Sequence, residues 1–168
     1  MPGIRRRTKK TRLVYCEGAH DKAFLDCLKS VYATDAYNVD IKRGTGGDQV
    51  HLAEEAIKKG RAYDEQCLKI DGDRPEDEME QADSVAADGN VVVIRTIPCI
   101  ERLLINIREP SKRIASWNST RLKNYFEANH IPENKRTDVR AYKAIFTKAT
   151  LDSAKARLPE LQALIDLF

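Results

Sequence analysis

Carboxylates at the ends of apolar runs are the residues of this chain best placed to do chemistry. Glu17 follows Leu13-Val14-Tyr15-Cys16 and precedes Gly18, and Asp71-Gly72-Asp73 follows Cys67-Leu68-Lys69-Ile70. Side chains two residues apart leave the same face of an extended backbone, so Asp71 and Asp73 would offer a hard-oxygen chelate. Gly72 would allow a tight turn between them. Magnesium suits such a site, because it takes one or two carboxylates and keeps waters and substrate phosphates for its other positions. Glu17 would then manage a proton or hold a second ion. A further carboxylate, Glu101, follows Pro98-Cys99-Ile100. It would either complete the metal site or bridge to Arg102 or Arg95. Asp21 reads as a helix N-cap. Gly44-Thr45-Gly46-Gly47-Asp48 lacks the GK[ST] ending of an ATP-binding loop and reads as a connector. His20, His51 and His130 are scattered and carry no argument.

These groups can meet only if strands place them. Strand-like segments at Leu13–Cys16, Tyr37–Lys42, Gln66–Ile70 and Asn90–Ile97 alternate with helical spacing at Asp21–Tyr32, Asp48–Lys59, Pro75–Ala87 and Ile100–Ile107. That alternation predicts βαβ units and a mainly parallel sheet flanked by helices, whose carboxyl strand ends form the crevice where α/β folds put chemistry. The Val91-Val92-Val93-Ile94 run reads as a strand buried on both faces. Beyond Glu109 only helices are expected, over Ser116–Asn129, Val139–Lys148 and Leu151–Leu167. The expected division is a basic tail at 1–11, an α/β core at 12–108 and a helical extension at 109–168 packed on that core.

The motifs resemble the Toprim domain of topoisomerases, primases and related nucleases. Glu17-Gly18-Ala19-His20-Asp21-Lys22-Ala23-Phe24-Leu25 is similar to its "EGxxDxxFL" start. The small RloB-like Toprim proteins are a closer match. Ala62-Tyr63-Asp64 through Asp71-Gly72-Asp73 resembles their "yD…hhhDxD" block, and Pro98-Cys99-Ile100-Glu101-Arg102-Leu103-Leu104 their "PcxExxL" block. The resemblance spans roughly residues 12 to 107. It implies a Toprim-like, Rossmann-like fold with magnesium, or manganese in its place, on Glu17, Asp71 and Asp73. Glu17, Asp71, Asp73 and Glu101 would be the catalytic set. The activity implied is cleavage of DNA or RNA in a bacterial anti-phage defence setting, beside a separate ATPase protein.

Charge is segregated along the chain. Residues 1–16 carry six basic and no acidic groups, 17–101 carry ten basic against nineteen acidic, and 102–168 carry thirteen against seven. An acidic middle between basic ends suits a phosphodiester substrate. Arg5, Arg6, Arg7, Lys9 and Lys10 in the tail would bind nucleic acid, as would Lys143 and Lys148 on a basic stripe with Arg136 and Arg140. Trp117, Tyr125 and Phe126 read as core. Cys16, Cys27, Cys67 and Cys99 lie in or beside apolar runs without a CxxC and read as reduced thiols of a cytoplasmic protein. The apolar run after the basic start is too short for a signal peptide, and no stretch approaches membrane-spanning length. Two other functions fit parts of the pattern: a non-catalytic nucleic-acid-binding or interaction module, and a nucleotide-sugar transferase, which uses Asp-x-Asp but leaves Glu17 unexplained.

Overall fold

A computed structural model describes residues 9–168 of the chain. The four expected strands form as β1 (Lys10–Cys16), β2 (Tyr37–Arg43), β3 (Glu65–Asp71) and β4 (Val92–Thr96). They make one sheet in the order β2-β1-β3-β4 with every neighbouring pair parallel. Parallel neighbours need crossovers, supplied by α1 (Ala19–Tyr32), α2 (Gln49–Gly60) and α3 (Glu76–Asp88). α1 leads from β1 to one side of the sheet, whereas α2 and α3 lead the opposite way. Right-handed crossovers therefore put α1 on one face and α2 with α3 on the other. Strand alternation feeds both faces: Leu13, Tyr15, Leu68 and Ile70 pack with Leu52 and Ala56 of α2, while Val14, Cys16 and Cys67 pack with Phe24 and Leu28 of α1. The direction of winding reverses between β1 and β3, which makes their carboxyl ends the crevice of the sheet.

After β4 come α4 (Ile100–Arg108), α5 (Ser119–Asn129), α6 (Val139–Ile145), α7 (Lys148–Lys155) and α8 (Pro159–Ile165). They cover the α1 face. Leu104, Phe126, Tyr142, Phe146, Leu151 and Leu164 join Phe24 in a single buried cluster, with the Phe24 ring 5.3 Å from that of Phe146. The helical extension thus completes a core that α1 alone would leave open.

Three expectations are corrected. β1 starts at Lys10, because the Thr11 amide and hydroxyl both donate to Asp64 at 2.7 and 2.9 Å, so the tail ends before residue 10. Arg5, Arg6 and Arg7 lie outside the described residues. β4 is an edge strand rather than one buried on both faces, and Val92 is 64% exposed. The expected last two helices are three. Thr147 caps a new helix by accepting from the Thr150 amide at 3.3 Å, and Pro159 at the first turn of α8 holds Leu158 extended. No helix among the described residues is long and apolar enough to cross a membrane.

Candidate active site

The β1–β3 pairing sets Cys16 opposite Lys69, so Glu17 leaves the sheet beside Ile70 and Asp71. The Glu17 amide donates to the Lys69 carbonyl at 3.2 Å, and Glu17 Oε2 accepts from the Asp71 amide at 3.3 Å. Glu101 enters from the first turn of α4, directly after β4. As the sequence predicts, Glu17, Asp71 and Glu101 converge at one edge of the sheet. They line a cleft of about 270 Å³ together with Gly18–Asp21 at the start of α1, Ile100 of α4 and Lys123 of α5.

Asp73 does not join them. The chain bends at Gly72, whose amide donates to the carbonyls of Thr96 and Pro98 at 2.9 Å each. A Cβ at Gly72 would stand 2.8 Å from Ile97 Cγ1, so any larger residue would have to push the Ile97 side chain aside. The bend breaks the extended geometry that would have put both aspartates on one face. Asp73 is left exposed outside the cleft lining, although its charge reaches Lys123 and Arg74.

Asp71 is held by one oxygen. Its Oδ1 accepts from Lys69 Nζ at 2.7 Å, Thr96 Oγ1 at 2.7 Å and the Ile100 amide at 3.1 Å, while Oδ2 has no hydrogen-bond partner among the described residues. Burial pushes the Asp71 carboxyl up to about 6, against the pull of Lys69 and with the push of Asp21. Lys69 has no solvent exposure and also donates to Asp21 Oδ1 at 2.5 Å. Burial works to lower its pKa, but the two carboxylates outweigh it and keep the ammonium charged. Asp21 is not the N-cap. It stands in the first turn of α1, and its Oδ2 accepts from the Gly18 amide at 3.1 Å.

Glu101 is 2% exposed and pairs with Arg136 rather than with Arg95 or Arg102. Arg136 leaves the expected basic stripe altogether. It is 0% exposed and donates to Glu101 Oε1 at 2.5 Å, Glu127 Oε1 at 3.0 Å and Tyr142 Oη at 3.1 Å. Burial alone would raise the Glu101 pKa, but the hydrogen bond and charge of Arg136 bring it below the ordinary value. Glu101 Oε2 is buried and unpartnered; the neighbouring Cys99 thiol makes no hydrogen bond of normal geometry to it. His20 lies on the cleft wall, its pKa lowered by burial and by Arg136, so it is neutral at pH 7.

The cleft can hold a cation and an anion together. Asp71 Oδ2 and Glu17 Oε1 are uncommitted carboxylate oxygens, while the amino ends of α1 and α4 and the Lys123 amine face the same space. Five carboxylates in and directly behind the cleft, Glu17, Asp21, Asp71, Glu101 and Glu127, stand against three cations, Lys69, Lys123 and Arg136. A divalent ion would balance the remaining charge. Among the described residues no three His, Cys, Asp or Glu side chains form a ready-made metal cage. Asp71 and Glu17 are the carboxylates that a magnesium ion could use here, with water in its other positions.

The remaining expected nucleic-acid contacts lie elsewhere. Lys9 and Lys10 are exposed at the start of β1, the opposite end of the sheet, near Asp35 and Glu65. Lys148 pairs with Asp152 and sits 5.1 Å from the Tyr32 ring at the far end of α1, roughly 20 Å from the cleft. Lys143 is exposed on α6 beside Cys27 in the middle of α1. The four cysteines are free and buried, and burial pushes Cys16, Cys67 and Cys99 up to about 12. Sequence reasoning missed Lys69, although its place two residues before Asp71 in an apolar strand was a readable signal. Lys123, Arg136 and His20 gave none, since tertiary packing alone brings them to the cleft. Comparison with protein-family models, with curated proteins and with solved structures gives no match for this chain.

Proposed function

We propose that the chain is a magnesium-dependent phosphodiesterase of the Toprim type that cleaves nucleic acid in the cleft between β1 and β3. The observation that carries this reading is that Asp71 and Glu17, each with one carboxylate oxygen free of hydrogen bonds among the described residues, line one cleft with the first turns of α1 and α4 and with Lys123. Asp71 would hold magnesium with Glu17 beside it, and the ion supplies charge neutralisation on the scissile phosphate when bound. The helix ends and Lys123 hold the phosphate oxygens. Lys69 and Thr96 fix the Asp71 rotamer through Oδ1 so that Oδ2 stays aimed outward. Glu17 takes the proton from the attacking water. The motif resemblance supports a bacterial defence setting with a separate ATPase, in the cytoplasm.

The test is calorimetry of magnesium binding beside cleavage of plasmid DNA and labelled RNA. Asp71→Asn is expected to lose both metal binding and cleavage. Glu17→Gln is expected to lose turnover by at least a hundredfold while metal affinity falls much less. Cleavage by Asp71→Asn at the parent rate, or no divalent-ion affinity in the parent with nucleic acid present, ends the reading. A second reading, binding without catalysis, is favoured by Lys69, which already occupies one Asp71 oxygen. In that case Asp71→Asn leaves nucleic-acid affinity unchanged or tighter.

A further inference from the structure

α5 divides the cleft from a second depression. Lys123 points to the cleft, while Arg121, Asn124 and Tyr125 of the same helix line a broad hollow of about 860 Å³ with Trp117 and Lys112. The two spaces are separated by no more than the width of one helix, about 10–12 Å. Of the aromatics that the sequence places in the core, Phe126 is fully buried there, while Trp117 and Tyr125 pack against the core half-buried and also line the hollow. The two rings meet edge to face with centroids 5.3 Å apart.

Each wall of this hollow has a defined chemistry. Tyr125 is locked in place: its hydroxyl bonds Glu109 at 2.9 Å, and Lys112 and His130 reach the same carboxylate at 2.9 Å each. Arg121 makes no ion pair among the described residues, and its guanidinium lies 4.1 Å from the Trp117 ring centroid. The Asn124 amide makes no hydrogen bond among the described residues and is exposed. No carboxylate lines the hollow among the described residues.

We infer that this hollow is a stacking subsite for one unpaired base of single-stranded nucleic acid, next to the phosphate held in the cleft. The inference rests on the nucleic-acid reading of the cleft and names its substrate class. A base would take the Trp117 face that the Arg121 guanidinium now covers, with edge donors and acceptors for Asn124 and a flanking phosphate for the displaced Arg121. Duplex bases hide their faces in the stack and cannot enter. The absence of acidic lining residues admits a polyanion here, whereas the α3 face, with Glu76, Asp77, Glu78 and Glu80, repels one.

Trp117 is the only tryptophan of the chain, so its fluorescence reports on this hollow alone. The parent protein, in EDTA to prevent cleavage, is titrated with a single-stranded DNA decamer, its RNA counterpart and the matching duplex. Saturable quenching by the single strands is expected, with at least tenfold weaker binding of the duplex. By anisotropy of a labelled strand, Trp117→Ala is expected to lose affinity about tenfold and Trp117→Phe to stay within about twofold. Arg121→Gln, at an exposed position, is expected to lose several-fold with an unchanged melting temperature, which covers the case of a misfolded Trp117→Ala. A strand that binds by anisotropy without quenching Trp117, or a duplex that binds equally well, overturns the inference. Cleavage without quenching leaves the phosphodiesterase standing and ends the subsite; quenching without cleavage does the reverse.

Discussion

A lysine without solvent exposure survives as a cation only when carboxylates surround it, and Lys69 has two, Asp21 and Asp71. Two carboxylates share one ammonium, so the cluster keeps an excess negative charge inside the protein. Asp71 bears the consequence: burial, with the added push of Asp21, raises its carboxyl from 3.8 to about 6. Its folded value lies above its unfolded one, so the folded state takes up this proton first as pH falls. Ionised Asp71 therefore subtracts from stability above pH 6, and the loss is recovered between about pH 7 and pH 4. Asp71→Asn keeps the Oδ1 acceptor and removes the charge. It is expected to unfold about 1–3 kcal/mol later than the parent at pH 7.5 and equally near pH 4, by urea denaturation in the absence of divalent ions. A difference that does not change with pH would assign the effect to packing. Glu101 acts in the opposite direction: Arg136 holds its pKa down despite burial, so its contribution is lost only in acid.

At the scale of elements, the site is an assembly of ends: the carboxyl ends of β1 and β3 and the amino ends of α1 and α4. The strands were legible because short apolar runs alternate with helical spacing from Leu13 to Ile97, whereas the pairing of β1 with β3 that the site requires is seen only in the fold. Glu17 and Asp71 were legible for the same reason, as acidic residues at abrupt ends of such runs. Asp73 was misread because the close approach of Ile97 to Gly72 cannot be inferred from the Asp-Gly-Asp triplet. Buried Arg136 was misread because its partners, Glu101 and Tyr142, come from α4 and α6. The break before α8 was missed because Leu151–Leu167 keeps a helical spacing through Pro159, and the break between α6 and α7 falls a few residues earlier than expected, where Thr147 caps α7. Thr147→Ala removes that cap and is expected to cost about 1 kcal/mol, read as a lower melting temperature. A variant as stable as the parent would mean that Phe146 packing alone sets the break.

Over the whole molecule, the acidic cleft and the described part of the basic amino-terminal segment lie at opposite ends of the sheet. The carboxy-terminal residues close that opposite end. Phe168 gives its carbonyl to the Thr34 amide and hydroxyl at 3.0 Å each, and Arg12 of β1 donates to the Leu167 carbonyl at 2.7 Å. Leu167 and Phe168 are both buried. Ending the chain at Asp166 is expected to lower stability by roughly 3–5 kcal/mol while keeping one cooperative transition. Two separate transitions in the parent would make residues 109–168 an independent body instead. Arg12 also has a bearing on how the protein is made. Its bond to Leu167 spans 155 residues, so during synthesis the guanidinium meets Tyr37 and Glu65 first and closes on the Leu167 carbonyl only much later. The order of synthesis runs against the order of closure, and the half-made sheet, with its central strand exposed, is the species that chaperones would meet.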